Sequence, residues 1–148
     1  MARSAPNLER TATELVTEYG IKLAPVPLES ILQHPLPNMW QTVNLNTSRP
    51  VLQAVQVPFG TRMTLAQLLA RLLIESPWGE QRGLATLRGQ SAAVHTFGRA
   101  ILIPRILMMA LPAEVMHAQM ISRLYEAPVS EAATRLSELG VTELSQSA

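Results

Sequence analysis

The sequence predicts an α+β domain in which helices dominate and a few short strands form a small sheet. Seven of its eleven prolines lie before residue 60, which favours loops and short strands in the first half. After residue 60 the apolar residues recur at helical spacing instead. The 148 residues contain no internal repeat, and 47% of them are hydrophobic. This is enough to bury one core, so we expect a single domain over 1–148.

The first half is predicted to begin with a helix. Asn7 is a suitable N-cap, apolar residues follow at helical spacing, and Gly20 is a stop signal. Pro25-Val26-Pro27 then favours extended chain. A short helix over Leu28–Gln33 is predicted to follow it.

Two short strands are predicted next, at Met39–Val43 and Val51–Val57. In the second strand the valines share one face and Gln56 lies on the other. Pro50 and Pro58 flank this strand, which suits an edge position. An edge strand can pair with an extended peptide, so we expect a peptide-binding edge formed by Val51, Val55, Gln56 and Val57.

The second half is predicted to be helical. A helix over Thr61–Glu75, capped by Thr61 or Thr64, carries a leucine stripe that we assign to the core. The stripe consists of Leu65, Leu68, Leu69, Leu72 and Leu73. A glycine-containing loop is expected at 79–89. Further helices are predicted at 90–103, at 105–111, from Pro112 onward, and at 131–139 with Ser130 as cap and Gly140 as stop.

Composition narrows the possible chemistry. The chain has no Cys, which excludes disulfides, thiolate zinc sites and cysteine nucleophiles. It has no Asp either, and its only histidines are His34, His95 and His117. A metal or acid–base site would need Glu and these imidazoles. The net charge of +1 gives no overall field that would attract nucleic acid or an anionic membrane.

Several segments, in order and over roughly residues 8–141, resemble the ImmA/IrrE-type metallopeptidases. The stretch from Tyr19 to Glu29 is similar to the end of that family's opening helix and its P-V-D-L-like element. Arg62-Met63-Thr64-Leu65-Ala66-Gln67 and the residues after it resemble the zinc helix R-F-T-L-A-H-E-x-G-H. The segment at 94–104 resembles A-N-x-F-A-x-x-L-L-x-P. The segment at 127–140 is similar to F-x-V-S-x-x-A-x-x-x-R-L-x-x-L-G.

The resemblance implies a zincin-like scaffold over 8–111 and a helix-turn-helix-like helical pair over 112–140. In that family two His and one Glu hold zinc, and a second Glu is the general base. These positions fall here on Gln67 and Arg71 for the histidines, Leu68 for the base and Ser91 for the third ligand. None of the four residues suits its role. Gln67 and Ser91 are poor zinc ligands, Leu68 takes no proton, and Arg71 is a permanent cation. We therefore expect no catalytic residue, no zinc and no other cofactor.

The leading hypothesis is a pseudopeptidase-like regulatory domain that binds protein. Because active family members act on helix-turn-helix repressors of stress or mobile-element genes, the resemblance implies such a repressor as the partner. For Gln67 and Arg71 two interpretations stay open. They form a solvated helix face, or they remain from a buried site in which Arg71 reaches Glu75.

Two other hypotheses come from different classes. A DNA-binding regulator would use the basic middle of the chain, where residues 61–111 hold six Arg against two Glu. Its contacts would come from Arg82, Arg88, Arg99 and Arg105, with Arg123 and Arg135 as further candidates. The helices after residue 112 argue against it, because acidic residues outnumber basic ones there. A relocated metal site would have to draw on His34, His95, His117, Glu75 and Glu80.

We expect a cytoplasmic protein. The first six residues lack the apolar core of a secretory signal. The longest apolar runs fall short of the ~20 residues that span a bilayer. No membrane partner is therefore predicted.

Overall fold

The protein was analysed as a computed structural model, which describes residues 7–40 and 58–141. Within these two ranges the regular structure is helical and no strand occurs, so the helix-rich part of the fold prediction is confirmed. The small sheet is not found there. The predicted edge strand Val51–Val57 lies outside the described residues. Of the candidate strand Met39–Val43, only Met39 and Trp40 are described, and both lie in irregular chain.

The helices of the described residues follow one another with short connections. We number the α-helices in chain order, and 3-10 turns at Leu84–Leu87 and Ala113–Val115 lie between them. The α-helices are α1 (Leu8–Glu18), α2 (Leu28–Gln33), α3 (Gly60–Glu75), α4 (Pro77–Glu80), α5 (Ser91–Leu102), α6 (Arg105–Met108), α7 (Ala118–Tyr125) and α8 (Val129–Glu138).

The start and stop signals of α1 are confirmed. The Asn7 side chain accepts a hydrogen bond from the Arg10 N–H at 3.0 Å, so one of the free amides of the first turn is satisfied. Gly20 lies just after the helix with a φ of 67°, a backbone conformation that favours glycine.

The cap predictions for α3 and α8 are wrong. The chain enters α3 through Phe59, which has a left-handed φ of 61° and makes no side-chain cap bond. Thr64 instead donates its hydroxyl to the Gly60 carbonyl at 3.1 Å. The N-cap of α8 is Pro128 rather than Ser130. In both cases the N-cap residue makes no side-chain cap bond, so no capping residue in the sequence marks where the helix begins.

The predicted loop at 79–89 begins in α4, contains the 3-10 turn Leu84–Leu87 and otherwise consists of turns. Ser76 caps α4 by accepting the Gly79 N–H at 3.1 Å, and its hydroxyl donates to the Leu73 carbonyl at 2.7 Å. Fully buried Leu84 anchors the following 3-10 turn in the core. The helix predicted from Pro112 begins only at Ala118, after a 3-10 turn.

The core is built around α3. Leu65, Leu69 and Leu73 are buried as predicted, whereas Leu68 and Leu72 are half-buried and pack against its edge. Buried residues from α1, α2, α5, α7 and α8 join the same hydrophobic cluster. The clustering of these helices around one core positions α5 directly against α3.

The two C-terminal helices pack against each other and are tied to the start of α3. Arg62 on α3 donates to the carbonyl oxygens of Tyr125 and Glu126, each at 3.2 Å, where α7 ends. A guanidinium at this position satisfies carbonyls that have no partner within their own helix.

Burial raises the pKa of the Tyr125 hydroxyl, so this side chain stays neutral.

Candidate functional site

The four positions that the resemblance assigns to a zinc site differ in exposure. Gln67 and Leu68 on α3 are half-buried, whereas Arg71, one turn further on, is exposed. Ser91 is the first residue of α5 and is also exposed. The assignment of these positions stays a prediction.

Gln67 lies at a close contact between α3 and Gly98 of α5. A Cβ added to Gly98 on α5 would lie 3.3 Å from the carbonyl carbon of Ala66 and 3.3 Å from both Cα and Cγ of Gln67. The absence of a side chain at Gly98 therefore lets the two helices touch here. Gln67 is half-buried at this contact and Arg71 is exposed, so the interpretation as a solvated helix face fits Arg71 and fits Gln67 only in part.

Arg71 and Ser91 line one surface cleft of about 340 Å³ between α3, the turn at 84–90 and the start of α5. Gly98 meets α3 at Gln67 while Val94 and Ser91 meet it near Arg71, so the two helices run antiparallel. Ser91 precedes Gly98 by seven residues, or about 10 Å of helix. The structure thus brings together two of the four positions and leaves Gln67 and Leu68 outside the cleft lining.

The cleft has an apolar base and a charged rim. The apolar lining residues are buried Ile74 and Val94 and half-buried Leu87. On the rim, Glu75 Oε2 lies 3.4 Å from Arg88 Nε, and both side chains are largely solvated. Arg71 therefore does not hold Glu75, as one interpretation proposed, and it forms no ion pair with any residue that the structure describes.

The histidines do not converge on a metal site. No group of three His or Glu residues that could hold a metal ion occurs in the described ranges. Nδ1 of His34 lies 2.9 Å from the Ser30 carbonyl oxygen, and Nε2 of His95 lies 2.8 Å from Glu131 Oε2. The part of the chain that is described therefore gives no support to a relocated zinc site.

A charged network that the sequence analysis missed joins α1, α5 and α8. Arg135 on α8 is fully buried; its Nε donates to the Ile103 carbonyl at 2.7 Å, and its two terminal nitrogens donate to both carboxylate oxygens of Glu9. Arg99 on α5 donates to Glu131 at 2.8 Å and to Glu138 at 2.6 Å. Glu138 also accepts from Arg135 at 3.4 Å, which closes the network.

These contacts set the protonation of the network. Hydrogen bonds from Arg135 hold the pKa of the Glu9 carboxyl below its ordinary value, against the opposing effect of burial. Burial would raise the pKa of Glu131, but hydrogen bonds from Arg99 and His95 and their nearby charges outweigh it and lower that pKa. Both carboxyls are therefore ionised at neutral pH. The network is a structural clamp with no free nucleophile or base.

Most arginines that the DNA-binding hypothesis requires already hold carboxylates. Arg82 stacks on Trp78 with 3.8 Å to the ring centroid and donates to Glu14 at 2.8 Å. Arg88, Arg99 and Arg135 are paired as described above. Arg105 and Arg123 remain exposed. Phosphate contacts by the paired residues would have to displace existing ion pairs, which weighs against this hypothesis.

Comparison of the chain with protein-family models, curated proteins and solved structures finds no match. The ImmA/IrrE resemblance therefore rests on the motifs alone. Among the described residues, no helix combines the length and the apolar character needed to cross a bilayer.

Proposed function

We propose that this chain is a catalytically inactive, pseudopeptidase-like domain of the ImmA/IrrE type that binds a protein partner in a regulatory role. The partner class we propose is a helix-turn-helix repressor of stress-response or mobile-element genes, within the cytoplasm. The proposal includes the finer parts of the fold prediction, which are a zincin-like core at 8–111 and a helix-turn-helix-like pair at 112–140.

One observation carries the proposal. Arg71 and Ser91 line the same open cleft. Two ligand positions of a zinc site would have to lie together in this way. Their side chains are wrong for zinc, since a guanidinium stays protonated and repels a dication. A cleft that contains two of the four assigned positions but lacks metal ligands supports binding without hydrolysis.

The arrangement also supports a protein rather than a small molecule as the partner. The cleft is open along α3 and α5, with exposed Arg71, Arg88 and Ser91 at its rim and apolar residues at its base. A base of this kind with polar groups around it is typical of surfaces that receive a side chain of another chain.

The proposal is tested by capture and reconstitution. The full chain is cross-linked in its source cell, a captured repressor is identified and purified, and the pair is mixed with and without zinc. We expect a stable complex in which the repressor stays intact in both conditions. Cleavage of the repressor that requires zinc, or failure of every captured repressor to bind the purified chain, would contradict the proposal.

A further inference from the structure

We propose that the cleft between α3 and α5 binds an acidic segment of the protein partner, with a carboxylate held by Arg71 and a neighbouring apolar side chain seated on the cleft base. This inference rests on the proposed function and specifies the chemistry of its partner. It adds a role for Arg71 beyond the loss of a metal ligand.

The charge of the cleft favours an anion. Its rim holds the guanidinium groups of Arg71 and Arg88 against the single carboxylate of Glu75, so one positive charge is in excess. Glu75 pairs with Arg88, which leaves the Arg71 guanidinium without a carboxylate among the described residues. A planar guanidinium donates two parallel hydrogen bonds to a carboxylate, which makes it the residue best suited to an acidic side chain.

The start of α5 adds to this preference. Its N-cap residue Gln90 gives the helix no side-chain cap, because its amide nitrogen donates to the Thr86 carbonyl at 2.8 Å instead. The first turn of α5 contains no acidic residue. The partial positive charge of this helix end therefore acts on the cleft beside Arg71 without a compensating carboxylate of its own.

The apolar base limits the size and kind of the occupant. Ile74, Leu87 and Val94 line a volume of about 340 Å³, at the lower end of the ~300–1,000 Å³ usual for binding pockets. The cleft thus accepts one or two side chains of a segment. A leucine next to a glutamate would place its apolar group on this base while its neighbour meets Arg71.

A peptide titration tests the inference. The probe is a heptapeptide, Gly-Ser-Leu-Glu-Leu-Ser-Gly, acetylated and amidated so that the glutamate is its only charge. It is added to the isotope-labelled full chain, and amide NMR shifts are followed. We expect shifts at 71–75 and 87–94, and Arg71→Gln should weaken binding about tenfold, as loss of a charged hydrogen bond would.

Matched controls separate this site from general charge attraction. Arg123→Gln removes another exposed arginine that has no ion pair with a described residue, and it should bind the peptide as the wild type does. A peptide with Gln in place of Glu should lose its affinity for the wild type. Equal binding by the Arg71→Gln variant, equal binding of the Gln peptide, or shifts located elsewhere would overturn the inference.

The result is also distinguishable from failure of the proposed function. If the purified repressor binds the chain but neither the peptide nor Arg71→Gln affects that complex, the inference fails and the proposed function stands. If no repressor binds while the peptide still occupies the cleft through Arg71, the partner class is wrong and the acidic-segment site stands. Shifts that depend on protein concentration without peptide would identify a second copy as the occupant and overturn the inference.

Discussion

Arg135 carries a permanent charge in a position with no solvent exposure. Its burial is tolerated because the Ile103 carbonyl and the carboxylates of Glu9 and Glu138 satisfy its donors. Taking a guanidinium out of water costs several kcal/mol, and only such complete pairing offsets that cost. Arg135 therefore fixes where α8 sits against α1 and against the end of α5.

Replacing Arg135 with methionine is expected to lower the free energy of unfolding by about 3 kcal/mol, because a buried carbonyl and a carboxylate lose their donor. Urea denaturation measures it. Arg123→Met is the matched control: Arg123 is exposed and should change the free energy by less than about 0.5 kcal/mol. A loss for Arg135→Met no greater than that of the control would show that the pairing contributes no stability.

Arg71 differs from Arg135 in both its exposure and its pairing. It is exposed, lines the cleft and forms no ion pair with a described residue. We proposed above that it serves recognition. Arg71→Gln is therefore expected to weaken binding of the acidic peptide. It should leave the free energy of unfolding near the wild-type value.

At the scale of elements, the contact between α3 and α5 depends on Gly98. A Cβ added at this position would lie 3.3 Å from the backbone of Ala66 and Gln67 on α3, which is a tight contact. A larger group must push the two helices apart. The cleft between Arg71 and Ser91 lies along the same helix pair and would change with it.

Gly98→Leu is accordingly expected to destabilise the fold by about 1–3 kcal/mol, the usual cost of overpacking a tight contact. Ala92→Leu serves as its control, because Ala92 is exposed on the same helix and has room for the larger group. Thermal unfolding of both variants gives the comparison. If Gly98→Leu unfolds at the wild-type temperature, the close approach of α3 and α5 is not a determinant of the fold.

The network between α1, α5 and α8 predicts a pH dependence. The pKa values of Glu9 and Glu131 in the folded protein lie below the ordinary value of 4.5, so the folded state binds fewer protons than the unfolded state. The stabilisation that the ionised Glu9 and Glu131 give to the folded protein is therefore complete above pH 4.5. It is lost as the pH falls from 4.5 through the lowered folded-state pKa values.

Thermal unfolding from neutral pH down to about pH 3 tests this prediction. The wild type should lose stability steeply below pH 4.5, and Glu131→Gln should lose less over the same interval because one of the two groups no longer titrates. Glu80→Gln, at an exposed position without an ion pair to a described residue, should retain the wild-type slope. Identical slopes for all three proteins would remove the network as the cause.

At the scale of the whole molecule, local signals predicted helices better than they predicted contacts. Residues adjacent in the sequence determine the bounds of α2, the cap of α1 and the stop at Gly20. These features could therefore be predicted from the sequence. The N-cap residues of α3 and α8, Phe59 and Pro128, make no side-chain cap bond, so no capping residue marks these starts in the sequence.

The candidate site shows the same division. The i, i+4 spacing of Gln67 and Arg71 placed both on one side of α3, but burial of Gln67 depends on Gly98, thirty-one residues later. The pairing of Glu9 with Arg135 spans 126 residues and has no local signature. Only the i, i+3 spacing of Arg135 and Glu138 could have indicated the network in advance.

We proposed above that the residues at positions 67 and 71 do not hold zinc. Titration of the metal-free full chain with zinc, followed by metal analysis after gel filtration, tests it most directly. The control is Gln67→His with Arg71→His, which supplies two imidazoles at i, i+4 and should gain zinc. We expect no stoichiometric zinc on the wild type. Stoichiometric zinc on the wild type that disappears when Gln67 or Arg71 is replaced by alanine would contradict it.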